Sequence, residues 1–555
     1  MKLCFTSLII GISLISMIAG AAEFKLPGKE KKVIAHYMTN MLFFKGGSYS
    51  STYYDKVNYR PDGPTAFMGG STQSYPLMDF RYSEDRVGAA AKEILAAKKL
   101  GVDGFHFFYP YDPKFSDSVL NPNIIAFFKA ADRLKVDFKM TLCLCLPLRP
   151  VSEAEKVKVW GNAIKKIYKA VGKNNSNWLK TADGRNIFFL WNGDFLADKV
   201  SSMGDVFKRP EVLSDVAKAY KKLADHIGIK AAFVYDLRST MHKEPEFYNQ
   251  ILKNFPATWA FIPRPDGSWQ SYVAASQRAK IPFIRSLVPD FYTSKPYKKN
   301  GKRLYDRLWR LEDMKKLGVD GMWRRVISVN LSDEYRKNLE AAIKENAPII
   351  SVTTWNDYPE GQQICPDINH NFAYAILLKY YKNIWQKKSF KNNKDIGLVF
   401  FKKYAAKVKP VIWDFEVRED KPSCKIALHR VNEKPLVNED FIEAAVILTA
   451  PAKIYLNQKY LGTFPKGITV KRIASRPGKV SLKAVRKGKV LFNFAAPEWI
   501  TDKPYRTDRF TYSFSSEYMK YWKSIFGNRK METSCEYAED AKNIPQWKRI
   551  YNLKK

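Results

Sequence analysis

"EDRVGAAAKEILAAKKLGVDGFHFFYP", residues 84–110, passes from one periodicity to another. Its first half sets apolar residues at helical spacing and stops at Gly101; from Val102 onward it is a near-continuous apolar run. The spacing predicts an amphipathic helix, a glycine stop and then a strand. A strand wetted on one face alternates apolar with polar residues, whereas one covered on both faces need not. This one is expected to be covered on both.

The same pairing recurs along the chain. Candidate strands are "KVIAHYM", "GVDGFHFFYP", "VDFKMTLCLCLP", "RNIFFLWNGD", "KAAFVYDLR", "PATWAFIP", "PFIRSLVPD" and "PIISVTTWND". Between them lie helix-like segments such as "NPNIIAFFKAADRLK" and "EVLSDVAKAYKKLADHIG". About eight alternations across residues 30–390 predict an α/β chain, a (β/α)8 TIM barrel with long insertions. A doubly wound open sheet would use the same elements, but the sequence lacks the glycine-rich phosphate loop of a nucleotide-binding one. Residues 391–407 are basic and read as a linker. Residues 408–520 carry short alternating runs, among them "CKIALHRV" and "RFTYSFS", with Gly and Pro turns. They predict a C-terminal antiparallel β-sandwich, with "NQKYLG" and "RKGKV" as hairpin turns. Residues 521–555 are left unassigned.

Residues 1–21 have the charged, apolar and small-residue layout of a secretory signal, which places the mature chain outside the cell or in a periplasm; a retained anchor is the alternative. No later apolar stretch is long enough to span a membrane, so no stable membrane insertion is expected. Without Cys4 the chain has Cys143, Cys145, Cys365, Cys424 and Cys535, an odd and sparse set that makes no disulfide framework. Neither HExxH nor CxxC spacing occurs, so no metal and no cofactor are expected. The formal charge of +38 invites a nucleic-acid reading. Its lysines are spread along the chain rather than gathered in one stripe, which argues against nucleic acid. It leaves a general habit of the source organism, or a weak affinity for anionic glycans or membrane surfaces.

Function in such a barrel sits at the C-terminal strand ends. They carry His36, Tyr109, Tyr111, Trp191, Asn192, Asp194, Asp236, Asp290, Asp357 and Glu360, a mixture suited to a sugar cleft. Tyr109, Trp191, Tyr292 and Trp355 are candidates for stacking on pyranose faces. His36 and Asp236 are candidates for gripping the sugar at the cleavage point, and Asn192, Asn356 and Tyr358 complete the candidate substrate-binding set. In "TWNDYPEG", residues 354–361, Asp357 and Glu360 lie on the turn after the last strand. Glycosidic hydrolysis needs two carboxyl groups, one to protonate the leaving oxygen and one to activate water or attack carbon. The bland alternative is a capping box with no chemistry.

The segment "TTWNDYPEGQQICP", residues 353–366, resembles the Trp-Asn-Asp-Tyr-Gly-Glu motif of family-71 glycoside hydrolases, the endo-1,3-α-glucanases or mutanases. "VIAHYM", "GVDGFHFF" and "YDRLWR" support the resemblance, which covers residues 30–390. It implies a secreted bacterial hydrolase of a polysaccharide or oligosaccharide, α-1,3-glucan first, with Asp357 and Glu360 as the pair of an inverting mechanism. Glu360 is read as general acid and Asp357 as general base, their carboxyls in the wide separation class. Pro359 stands where the family has Gly, and its fixed φ re-aims the glutamate. Family-99 endo-α-mannosidases carry a similar Trp-Asn-Glu motif, which keeps an α-mannan substrate open. A non-catalytic glycan-binding surface protein is the alternative from another class. The sandwich is expected to make no catalytic contribution.

Overall fold

The computed structural model describes residues 23–46, 76–77, 81, 83–146, 150–202, 204–237, 245–262, 270–298, 319–358, 360–387, 394–408, 425–430, 438–503 and 509–529. The leader, Pro359, the "YDRLWR" segment and residues 530–555 lie outside them.

Eight parallel strands form the ring. β1 (Lys32–Tyr37), β2 (Gly104–Pro110), β3 (Lys139–Cys145), β4 (Asn186–Trp191), β5 (Ala231–Asp236) and β6 (Ala257–Trp259) pair each with the next. β7 (Phe283–Ile284) and β8 (Ser286–Leu287) are two halves of one bent strand. The chain then leaves the ring through β9 (Tyr292–Lys298) and β10 (Val319–Val326) before β11 (Ile349–Val352) returns. β7 pairs with β6, β8 with β11 and β11 with β1, so the bent strand joins the two edges of the sheet. The bend falls at Arg285, whose guanidinium holds Glu345 at 2.8 and 2.5 Å.

At least one helix follows each ring strand, from Arg86–Lys99 after β1 to Ala373–Trp385 after β11. In the opening stretch the Asp85 carboxylate caps the helix, accepting from the Gly88 amide at 2.6 Å, and Gly101 ends it at φ +94. Gly104 starts β2 where a Cβ would run into the Lys139 carbonyl of β3. The barrel is the expected fold.

Successive residues on each strand face opposite ways. Val33, Ala35, Tyr37, Phe105, Phe107, Met140, Leu142, Phe188 and Leu190 belong to the core shared with the helices. Ile34, Cys143, Ile187, Phe189, Val234, Trp259, Ile284 and Ile349 form a separate core along the barrel axis. Phe24 and Leu26 join that inner core beneath the ring. Toward the C-terminal ends the inner face turns polar, with His36 and Asp236. That end is the mouth.

The C-terminal region is a sandwich of two four-stranded antiparallel sheets. Its strands are β12 (Ile396–Lys402), β13 (Lys425–Arg430), β14 (Phe441–Leu448), β15 (Ala452–Leu456), β16 (Lys459–Phe464), β17 (Gly467–Ala474), β18 (Gly478–Arg486), β19 (Lys489–Ile500) and β20 (Thr511–Ser515), of which all but β13 build the sandwich. The sheets run β17-β14-β12-β20 and β16-β15-β18-β19. Both anticipated hairpin turns are present, with Asn457 and Gln458, then Lys487 and Gly488, at positive φ.

Two boundaries need correction. The stretch read as a linker, 391–407, contains β12, a central strand buried along its whole length. Val399 and Phe401 face the second sheet, while Leu398 and Phe400 join the core of the barrel helices, where Phe400 meets Tyr374. A strand covered on both faces is a plain apolar run, and "LVFF" carried no alternation to reveal it. "CKIALHRV" supplies β13, which pairs in parallel with β10 in a three-stranded sheet with β9, not with the sandwich.

Candidate active site

β11 ends at Val352, and residues 353–372 form the loop over the mouth before the last helix. The loop is bonded to itself and to the ring. Thr354 donates to the Gln362 carbonyl at 2.7 Å, Cys365 to that of Trp355 at 2.9 Å, and Trp355 to that of His36 at 2.7 Å. Asn356 spends both amide atoms on the Met38 backbone, accepting at 2.8 Å and donating at 3.3 Å. Below, the Trp355 indole N–H donates to Glu93 Oε2 at 2.8 Å. The other Glu93 oxygen takes the Tyr37 hydroxyl at 3.0 Å and pairs with Arg81, all fully buried.

On this base Asp357 and Glu360 are held together. Asp357 N donates to Thr354 Oγ1 at 2.8 Å, and its carbonyl accepts from Glu360 and Gly361 at 3.3 and 3.1 Å. The Gln362 amide Nε2 donates to Glu360 Oε2 at 2.7 Å and lies 3.4 Å from Asp357 Oδ2. Two oxygens reached from one nitrogen at those distances are at most about 6.1 Å apart. This falls short of the ~6.5–9.5 Å of inverting enzymes and approaches the ~5–5.5 Å of retaining ones. The bound concerns one oxygen of each carboxyl and does not assign the pair to either class. The bonds from the Asp357 carbonyl to Glu360 and Gly361 close one short helical turn, the setting that the capping alternative also requires.

The other expected residues divide into two groups. His36, Trp191, Asn192 and Asp236 lie at the mouth. The His36 ring stands 3.2 Å, Nδ1 to Nδ1, from His106, with Phe108 and Phe261 around it. Burial drags its pKa down to about 3, so the imidazole is neutral. Asp236, 4% exposed, is pushed up to about 7 by burial, against amide donors from Phe261 and Asn192. Its carboxyl changes protonation near neutrality. Asn192 takes a left-handed turn at φ +51 after β4. Trp191, partly exposed, packs on Phe108 and Phe261.

Tyr109, Trp355, Asn356 and Tyr358 do not reach the mouth. Tyr109 is fully buried on the helix side, its hydroxyl donating to Asn121 Oδ1 at 2.8 Å. Trp355 and Tyr358 share that core, so neither face is offered to a sugar. Asn356 is fully buried as a clamp. The Tyr292 side chain lies outside the described residues.

Phe108, Phe261 and Gln362 were not anticipated. Phe108 shares strand parity with His106, and Phe261 with Trp259, once the inward-facing residues of β2 and β6 are known. His36, His106 and Cys143 form one group of metal-ligating types, their ligand atoms within 4.8 Å of one another. Ligand bonds of ~2.0–2.3 Å to a tetrahedral ion would draw such atoms closer. The hydrogen bond between the two imidazoles accounts for their approach.

No protein-family model matches the chain, and no curated protein matches it. Among solved structures it is similar to the family-99 endo-α-mannosidase from Bacteroides thetaiotaomicron, at 15% identity over 64% of this chain and 98% of that one, with a TM-score of 0.41. It is also similar to a family-2 glycosyl hydrolase from Bacteroides cellulosilyticus, at 10% identity over 84% of this chain and 46% of that one (TM-score 0.37). A third is β-glucuronidase 2 from Bacteroides uniformis, at 11% identity over 75% and 44% (TM-score 0.36).

Proposed function

We propose that this chain is a glycoside hydrolase, with Glu360 as general acid and Asp357 as its partner carboxylate. One observation carries the reading: a single buried amide, that of Gln362, gathers both carboxylates on the loop closing the barrel mouth. Nearby strand ends supply an aromatic wall from Phe108, Trp191 and Phe261, a neutral His36 and an Asp236 poised near neutrality. A pyranose ring stacks on such a wall while polar groups read its hydroxyls. Glu360 then gives its proton to the glycosidic oxygen as the bond to the anomeric carbon breaks. In the inverting form Asp357 takes a proton from the water that attacks that carbon.

The motif resemblance points to family 71 and α-1,3-glucan, in an exported enzyme. A second reading, a retaining endo-α-mannosidase of family-99 kind, rests on the similarity of residues 355–360 to that family's Trp-Asn-Glu motif. Reducing-sugar release from α-1,3-glucan and from α-mannan separates the substrates, and early NMR of the product anomer separates inversion from retention. Asp357→Asn and Glu360→Gln should each lower turnover by ~10²–10⁴ with the thermal transition unchanged. Glycan binding without turnover by the wild type would leave a binding protein instead.

A further inference from the structure

The loop carrying the two carboxylates is bonded to the C-terminal sandwich. β20 is the edge strand of its sheet, and its open side is occupied by that loop. Ser513 N donates to the Asn369 carbonyl at 2.9 Å, Ser513 Oγ donates to the His370 carbonyl at 2.5 Å, and Asn371 Nδ2 donates to the Ser513 carbonyl at 2.7 Å. One residue before β20, Phe510 is 1% exposed. Its ring lies against Gly361, so closely that a Cβ on that glycine would collide with it. Gly361 also has φ +70, a conformation that suits glycine.

Gly361 directly follows Glu360 and precedes Gln362, the residue whose amide joins the two carboxylates. The backbone angles of Gly361 therefore set the direction of the glutamate relative to that amide. Phe510 fills the space the missing side chain leaves and blocks the turn from relaxing toward the sandwich. Around it, Asp367 accepts from the Asn369 and His370 amides at 2.6 and 2.7 Å, and Thr511 N donates to Asp290 Oδ2 at 2.6 Å. The contact thus sits in a rigid setting that ties loop, ring and sandwich together.

We propose that Phe510 is a positioning residue for Glu360, and that the sandwich is thereby a working part of the active site. This replaces the expectation of no catalytic contribution, and it rests on the reading of Glu360 as general acid. A misplacement of ~1 Å at a reacting group can cost ~10²-fold in rate. Phe510→Ala in the full chain should therefore lower kcat on a natural-linkage oligosaccharide about ten- to hundred-fold, with KM changed less than about threefold.

The diagnostic readout is leaving-group dependence. A dinitrophenyl glycoside departs without a proton, so its hydrolysis should be nearly spared in Phe510→Ala, while that of poor leaving groups collapses. Phe510→Leu, which keeps apolar bulk, should recover most of kcat. If Phe510→Ala does not fold, Ser513→Ala, which removes only the hydroxyl bond to His370, should show a weaker loss with the same leaving-group pattern. Wild-type kcat in the folded variants, or equal losses on good and poor leaving groups, overturns the proposal. Glu360→Gln run alongside keeps the two readings apart. If it is active on poor leaving groups, the acid assignment itself fails; if it is inactive while Phe510→Ala is normal, only the positioning role fails.

Discussion

His36 and Tyr37 are neighbours on β1 with opposite surroundings. His36 looks along the barrel axis among Phe108, Phe261 and His106. Tyr37 looks outward into the helix core, where its hydroxyl is committed to Glu93. The same division separates Trp191 and Asp236 from Tyr109. Side-chain chemistry alone made all of these reasonable sugar contacts. Parity along the strand decides which can meet a substrate, because the ring has one open face and one covered face.

The covered face should fail structurally when broken, and the largest expected effect is at Glu93. Glu93→Gln keeps the shape but removes the charge of the carboxylate that pairs with the fully buried Arg81. Breaking one side of a buried pair costs about 3–5 kcal/mol. Urea unfolding of the variant should show a loss of that order. A loss below about 1 kcal/mol would mean the network is not the anchor of the loop base.

The limits of the sequence reading follow from the same two faces. The ring was legible because each strand is an apolar run followed by a helix with its own stop, as in residues 84–110. The carboxylate pair was legible because the motif is local, and Asp357 and Glu360 sit on one turn. Parity was not legible in runs such as "GFHFFYP", where both faces are buried and every position is apolar or aromatic. β12 was missed for the same reason, since a strand between two cores shows no alternation. The tie between Phe510 and Gly361 spans distant parts of the chain, and no local signal announces it.

A smaller effect is expected on the outer side, where charges are compensated. Burial alone would lower the His370 pKa, but Asp367 at 2.9 Å and Asp290 outweigh it and hold the group up at about 9. A folded pKa above the unfolded value of ~6.5 means stability that is fully present below pH ~6.5 and lost as pH rises through about 9. The contribution is on the order of 3 kcal/mol at its fullest. The stability gap between wild type and His370→Gln should therefore shrink across that window. A gap constant from pH 6 to 10 would show that His370 is held neutral, with Lys402 as the countercharge of Asp290.

The smallest effects test parity itself, with one residue from each face. Trp191→Leu keeps apolar cover over Phe108 and Phe261 but removes the flat ring at the mouth. Stacking of an aromatic ring is worth about 0.5–1.5 kcal/mol, so KM should rise by about two- to tenfold, with unfolding free energy within about 1 kcal/mol of wild type. Tyr109→Phe removes the hydroxyl that donates to Asn121 inside the covered core. It should cost about 1 kcal/mol of stability and leave KM untouched. The two variants thus predict opposite patterns from two aromatic residues that looked equivalent as stacking candidates. A raised KM in Tyr109→Phe, or an unchanged KM with lost stability in Trp191→Leu, would reverse the assignment of faces. The mouth would then have to be redrawn around the other set.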